Sequence, residues 1–278
     1  MGDNVTVKTS RQRHELILKV IVYSVSVVLT FMTLYPFLMM LQDFTGFRAN
    51  NPARILKVLP QRGQELVAFF KSRVVTGFIN SVIVAACSTF LNVYFSALTA
   101  HSIFAYKWKM RKAFSNFILA LMMIPNIVAT AGFIQLAYRF HVNNSLALLI
   151  LPAIATPISV VFMRLYLESS FSLELMDSAR IDGAGEFRIF NQIVLPILKP
   201  AIATQAIFGL ANSWNETFLP LVLNLEEEKK TLPVILILNY AKGENTIPMF
   251  VTTIPLVIAF LFLSRHIVEG VQLGSIKM

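Results

Sequence analysis

Long apolar runs separated by short polar links set the pattern of this chain. Runs long enough to cross a bilayer as helices lie at about 16–41, 77–105, 113–137, 146–167, 201–224 and 248–268. Six spanning helices are therefore predicted. Pro125 predicts a kink in the third run, and Pro152 with Pro157 breaks the fourth. Residues 1–15 are polar, carry Lys8, Arg11 and Arg13, and are expected to be disordered or to lie along the membrane surface. The long connection over 42–76 ends in Leu66-Val67-Ala68-Phe69-Phe70, a pattern that suits a short interfacial helix. A polar link is expected between the fifth and sixth runs.

One charge-rich segment, residues 172–196, interrupts the apolar second half. Ser172 is a good N-cap, Glu174 suits the positive end of a helix dipole, and Gly183 stands where a left-handed residue would end the helix. A short helix over about 173–182 follows. On its wheel Leu175, Met176 and Ala179 share one side, and Glu174, Asp177, Ser178 and Asp182 fan across the other. Ile181 falls inside the polar fan, as an apolar knob ringed by charge that would suit a shallow cleft on a soluble partner. A second helix then carries Phe187, Phe190 and Val194 at helical spacing until Pro196 closes it.

Composition agrees with a membrane protein. Of 278 residues 56% are hydrophobic and only 14% charged, too few to coat a soluble globule. Twenty-three Phe and 11 Met suit lipid-facing and adaptable packing, and a single Cys excludes a disulfide within the chain. The net charge of +9 is gathered in short clusters beside the apolar runs, which points to membrane orientation and not to nucleic acid. Lys107, Lys109, Arg111 and Lys112 surround Trp108 in a loop that suits an anionic inner leaflet. Lys and Arg number 14 on the side of the termini and the 172–196 segment against 10 opposite, so those parts are expected to be cytoplasmic. The first run is too long for the core of a cleaved signal and is expected to stay as a span.

Enzyme chemistry is not indicated. No G-x-x-x-x-G-K-[ST] cradle occurs, and the four His residues (14, 101, 141, 266) lack metal-ligand spacing; no nucleophile–base pair stands out. Catalytic, cofactor and metal residues are all expected to be absent, and His101 reads as an interfacial or packed histidine. Polar stripes are more informative. In the fifth run Gln205, Gly209, Asn212 and Glu216 fall within about 60° on a helical wheel, so this stripe should face protein or water. Hydrogen bonding to a partner helix and lining a path both remain open. The second run carries Ser81, Ser88, Asn92 and Thr99, for which close helix packing competes with solute contact. Glu226-Glu227-Glu228 and Lys229-Lys230 read as a solvated outer loop or as a contact for a partner on that side.

The 172–196 segment also resembles a known family. Importer permeases of the ABC class carry an "EAA" loop: E-A-A, three residues, G, nine residues, then I-x-L-P. Here Asp177-Ser178-Ala179, Gly183 and Ile193-Val194-Leu195-Pro196 keep both spacings, with five of seven defined positions identical. Asp for Glu shortens the acidic arm by one methylene, and Ser replaces Ala. Over nearly the whole chain the likeness is to the carbohydrate branch, the MalG-like permeases: Asn80-Ser81, Met123-Ile124-Pro125, Asp182-Gly183-Ala184, Ser213-Trp214-Asn215-Glu216, Pro220-Leu221 and Thr231-Leu232-Pro233 carry it, with the tail from Gly270 to Lys277.

The resemblance implies an all-α polytopic membrane protein of six transmembrane helices, with the type I ABC importer (MetI-like) permease fold and a cytoplasmic coupling helix. It implies one transmembrane domain over 1–278, with a peripheral first span at 16–41, a core over about 76–268 and a coupling loop at 168–199. Two permeases would pair in a bacterial or archaeal plasma membrane. Two ATPase subunits, which bind ATP and Mg, would each grip a coupling loop, and an extracytoplasmic solute-binding protein would deliver the sugar. Glu174, Asp177, Ser178, Ala179, Ile181, Asp182 and Gly183 would form the ATPase-coupling surface. Gln205, Gly209, Asn212, Trp214, Asn215 and Glu216 would line the path or meet the second permease. Asn239, Gly243, Glu244, Asn245 and Thr246 would reach the binding protein. The alternative is a self-contained secondary transporter or channel, which predicts coupling-ion carboxylates or broken-helix repeats; Glu216 is the one acidic residue read as lying inside a run. A structural subunit without a path is the third possibility.

Overall fold

A computed structural model describes residues 3–47, 51–71, 74–154, 156–223, 225–240 and 251–262, and these form helices joined by turns, without strands. The chain divides into two compact units, 1–67 and 68–278.

In the first unit α1 runs over Asp3–Thr45 as one helix, so the polar residues from Asp3 onward continue the first span and are not disordered. Its apolar side chains are exposed throughout the 16–41 run, as lipid tolerates and water does not. Gly46, at φ +68°, ends it in the left-handed conformation; a Cβ there would collide with Val58. α2 (Arg54–Lys71) is an amphipathic helix of 18 residues, far longer than the short interfacial helix that the sequence suggested at its end.

The second unit is built on α3 (Val74–Ala105), a helix of 32 residues. α4 (Arg111–Leu121) and α5 (Asn126–Arg139) follow. Between them the chain turns by 96°, so Met123-Ile124-Pro125 makes a sharp break where the sequence suggested a kink. α6 (Ala147–Ile150) passes through a 3₁₀ turn at Leu151–Ala153 and bends by 40° into α7 (Pro157–Ser170), with Pro157 in the first helical turn where its missing N–H costs nothing.

The short elements of the 172–196 segment come next. α8 (Glu174–Ile181) is followed by α9 (Glu186–Ile189), a π turn at Phe190–Val194 and α10 (Leu195–Ile197). Pro196 does not close this stretch. It sits inside α10, and the direction changes at Leu198, where the chain bends by 78° into α11 (Lys199–Asn215). The fifth run breaks again before α12 (Phe218–Val222). The expected polar link contains an apolar helix, α13 (Leu232–Tyr240), in which Leu232 and Val234 are wholly covered while Ile237 and Leu238 are exposed. α14 (Val251–Phe262) is the described part of the sixth run. Among the described residues, two helices are long and apolar enough to cross a membrane alone, and the three bent pairs bring the number to five.

α3 packs on α7, α11 and α13. Small residues, Ala97, Ala100, Ala201 and Ala206, let the backbones approach closely without needing the hydrophobic effect, which is weak between helices in lipid. The Asn80-Ser81 pair has a specific task. Asn80 Nδ2 donates to the carbonyls of Glu228 (2.8 Å) and Lys230 (3.0 Å), and Ser81 Oγ accepts from the Leu232 N–H (2.8 Å), so the pair clamps the loop that enters α13. The carboxylates of that loop remain exposed, but Asn144 holds its backbone through the Glu226 N–H at 3.2 Å.

Candidate functional site

Two places in the second unit bring the singled-out residues together. The first is the α8–α9 unit. Ser172 Oγ accepts the Glu174 N–H at 3.3 Å, while Leu173 occupies the cap position itself. Gly183 ends α8 at φ +80°, with the Ala184 N–H returning to the Ala179 carbonyl at 2.9 Å, as in a Schellman turn. Met176 and Ala179 bury themselves against α3 and α7 alongside Ile189, Phe190 and Val194. Burying Met176 alone is worth about 2 kcal/mol.

The outward face differs from the wheel reading. Ile181 is 86% exposed, as the knob argument required, but Phe187 at 74% and Leu175 at 48% are exposed too, although Leu175 shares a wheel side with the buried Met176 and Ala179. The helices are too short to bury more than one narrow edge. Leu173 is exposed as well, and the carboxylates of Glu174, Asp177, Asp182 and Glu186 are exposed on the same two helices and their turns.

A polar network fixes the unit, and sequence reasoning missed it. Arg180 donates through Nε and Nη2 to the two carboxylate oxygens of Glu186 (2.8 and 3.3 Å) and through Nη1 to Asp177 Oδ1 (2.8 Å). The Tyr106 hydroxyl, one residue beyond α3, donates to Glu186 Oε2, and the guanidinium lies 5.9 Å from the Tyr106 ring centre. These groups lie outside the spanning segments. Arg180, then Tyr106, hold the Glu186 carboxyl below the usual carboxylate range; burial and then Glu186 push the Tyr106 phenol up to about 12. His101 is buried, its ring stacked on Phe190 and edge-on to Tyr106, which settles it as a packed histidine. The tight i, i+6 pairing of Arg180 with Glu186 depends on the Gly183 turn, so no helical period betrayed it.

The second place is a cavity of about 570 Å³ among α3, α5, α7 and α11. The stripe of Gln205, Gly209, Asn212 and Glu216 lines it, as do Asn92 and Thr156. A hydrogen-bonded chain joins three helices along its wall. Asn92 Oδ1 accepts from Ser96 (3.0 Å) and Thr156 (3.3 Å); Thr156 meets the Ser159 hydroxyl at 2.8 Å; Ser159 donates to Gln205 Oε1 at 2.9 Å. Glu216 is the one acidic lining residue among the described residues, and it does not lie inside a helix. It occupies the break between α11 and α12, and Oε1 caps α12 by accepting the Leu219 N–H at 3.0 Å.

The other candidates fall elsewhere. Trp214 is buried away from the cavity, edge-on to Phe78, with Nε1 donating to the Thr252 carbonyl at 3.0 Å, so it locks α11 to α14. Asn215 turns back onto the Ala211 carbonyl at 2.8 Å and is not among the lining residues. Of the second-run stripe only Asn92 reaches the cavity; Ser88 is buried in packing and Ser81 serves the clamp. Asn239 belongs to α13, not to a flexible tip, and Gly243, Glu244, Asn245 and Thr246 lie outside the described residues. The cavity also gains Asn126 and Thr130, whose polarity within an apolar run was the available signal, and Thr231 from the link between the fifth and sixth runs.

Residues 92–271 match the family described as "Binding-protein-dependent transport system inner membrane component". Over 207 residues the chain is 34% identical to the arabinooligosaccharides transport system permease AraQ of Halalkalibacterium halodurans, covering 73% of this chain and 74% of that protein. It is 25% identical over 268 residues to the lactose transport system permease LacG of Rhizobium radiobacter, covering 93% and 96%. In fold it matches a chain from the crystal structure of a bacterial ABC transporter involved in the import of the acidic polysaccharide alginate, with a TM-score of 0.69 and 18% identity over 91% of this chain and 97% of that one. Broken helices are therefore compatible with this class, and nothing favours a transporter working without an ATPase. The family match spans well over half of the chain and the AraQ relative nearly three quarters, which makes this protein a member of the binding-protein-dependent inner membrane component family: the permease of an ABC importer, a transport subunit and not an enzyme.

Proposed function

We propose that this permease carries a sugar or oligosaccharide across a bacterial or archaeal plasma membrane by alternating access, paired with a second homologous permease. An extracytoplasmic binding protein delivers the solute, and two ATPase subunits hold ATP and Mg. The cavity carries the substrate reading. Its polar lining consists of amides and hydroxyls with a single carboxylate, a set that hydrogen-bonds neutral polyols without demanding a charged group. Relatives named for arabinooligosaccharides and lactose support the same class.

The exposed side chains of Leu175, Ile181 and Phe187 would dock in a cleft of the ATPase, with Glu174, Asp177, Ser178, Ala179, Asp182 and Gly183 shaping the contact. Six spans, with both termini and the α8–α9 unit in the cytoplasm, fit the count of basic residues. Asn239, Gly243, Glu244, Asn245 and Thr246 would then stand on the outer side, toward the binding protein.

Copurification tests the assembly: an ATPase and a second permease should accompany the tagged chain. Binding of mono- and oligosaccharides, amino acids and metal ions to the cognate binding protein tests the solute. A binding protein that takes only amino acids or metals would overturn the sugar assignment.

A further inference from the structure

We infer that a second pocket, between the start of α4 and the middle of α7, is a binding site for the phosphate of an anionic phospholipid. The pocket has a volume of about 440 Å³. Three cations line it, Arg111 and Lys112 from α4 and Arg164 from α7, together with the polar side chains of Ser115 and Asn116. Arg164 is fixed in place. It donates to the Ser115 hydroxyl and, through Nε, to Glu168 Oε1 at 2.8 Å. Glu168 offsets one of the three charges, so the pocket keeps a surplus of two. α4 adds nothing to cancel it, since its first turn holds no acidic residue and no side chain caps it.

A bare cation cluster would open only to water. Here Ile103 and Leu119 add apolar side chains to the lining. Beside it Trp108, Met110, Phe114 and Phe117 expose apolar surface, and Trp108 leans on Phe114 with ring centres 5.7 Å apart. Cations and apolar side chains in one pocket match the two parts of a lipid, headgroup and acyl chain, and a tryptophan beside them suits that boundary. Arginine suits phosphate oxygens because its donors form a planar fork. A free anion would use the cations and leave the apolar side chains without purpose, which favours lipid as the source. The pocket lies at the end of the bundle that carries the α8–α9 unit, since α3 ends there at Ala105 and α7 at Ser170.

The test compares two double variants of the full chain, purified with its copurifying subunits. R111Q/K112Q empties the pocket of two cations; K107Q/K109Q removes the same charge from the same loop outside it. Each is placed in nanodiscs of phosphatidylcholine containing phosphatidylglycerol and read by native mass spectrometry for retained phosphatidylglycerol, with thermal stabilisation by added phosphatidylglycerol as a second measurement. The expected result is a loss of retention of about tenfold or more in R111Q/K112Q relative to K107Q/K109Q. Equal losses in both would reduce the effect to diffuse surface attraction and overturn the site. Stabilisation by millimolar inorganic phosphate without phosphatidylglycerol retention would make it a free-anion site and overturn the lipid assignment. Arg164→Lys, which keeps the charge and loses the fork, should show intermediate retention; full retention there would remove Arg164 from the site.

Discussion

Gly183 is the most sensitive position in the proposed coupling unit, and the reason is its backbone. At φ +80° an L side chain is strained by roughly 1–2 kcal/mol, although a Cβ placed there meets no atom within 4 Å. Steric parting of α8 and α9 is therefore not the mechanism, and the whole effect must come from the turn. Relieving the strain means opening it, which costs the Ala184–Ala179 and Gly183–Arg180 hydrogen bonds at 2.9 and 3.0 Å and misaligns Arg180 with Glu186. A strain of 1–2 kcal/mol lowers the population of the docking-competent turn roughly 5- to 30-fold. Asn tolerates the left-handed region better than Ala, and a β-branched residue worse. Transport and ATPase retention should therefore fall in the order Gly183, Asn, Ala, Val, with the permease level in the membrane unchanged. The assay is ATPase copurification together with solute-stimulated hydrolysis. If Asn and Val were equally impaired, side-chain size would be the cause, and if Val behaved like the parent the turn would have no part in docking.

Other substitutions separate the roles of neighbouring groups. Glu186→Gln should cost no more than about 1 kcal/mol, because the pair with Arg180 is half exposed, and it should change the pH response. A depressed carboxyl contributes its full stability above the ordinary carboxylate range and loses it as pH falls toward the folded-state value, so the parent should show a steeper fall in thermal midpoint from pH 6 to 4 than the variant. Gln205→Leu removes the acceptor of Ser159 within the cavity wall, worth about 0.6–2 kcal/mol between membrane helices; uptake should drop while ATPase copurification persists. Trp214→Phe keeps the edge contact with Phe78 but loses the bond to Thr252, about 1 kcal/mol. It should lower the unfolding midpoint and leave solute affinity as it was, and a changed affinity would return Trp214 to the path.

What the sequence disclosed follows the kind of signal each feature leaves. The Gly183 turn and the exposed Ile181 are local: one needs a glycine, the other an apolar residue on a polar arc. The stripe from Gln205 to Glu216 was legible because helical period alone places those four residues together, and all four line the cavity. Features made by meeting of distant segments left no such mark. Asn80 and Ser81 looked like the start of a span, and only the fold shows them gripping a loop about 150 positions away. The wheel groups Leu175 with Met176 and Ala179, yet only the last two are buried, because α8 has a narrow buried edge and not a broad face. Trp214 and Asn215 neighbour the stripe in sequence but sit off its arc, one turned into packing and the other onto its own helix.

The two candidate places are joined by continuous packing. Met176, Ala179, Ile189, Phe190 and Val194 share one buried cluster with Ala97, Ala100 and Ile103 of α3 and with Met163 and Leu167 of α7. Above it, the same α3 and α7 send Ser96, Asn92, Thr156 and Ser159 into the hydrogen-bonded chain that ends on Gln205 of α11. Close-packed interiors transmit displacement and do not absorb it. Within the α8–α9 unit Arg180 and Glu186 oppose relative movement, and Tyr106 ties the pair to the end of α3. The next place able to yield is the 78° bend at Leu198, where a π turn and the short α10 precede α11. A push on the exposed patch would therefore tend to swing α11 about that bend relative to α3 and α7, and the shear would fall on the Ser159–Gln205 hydrogen bond in the cavity wall.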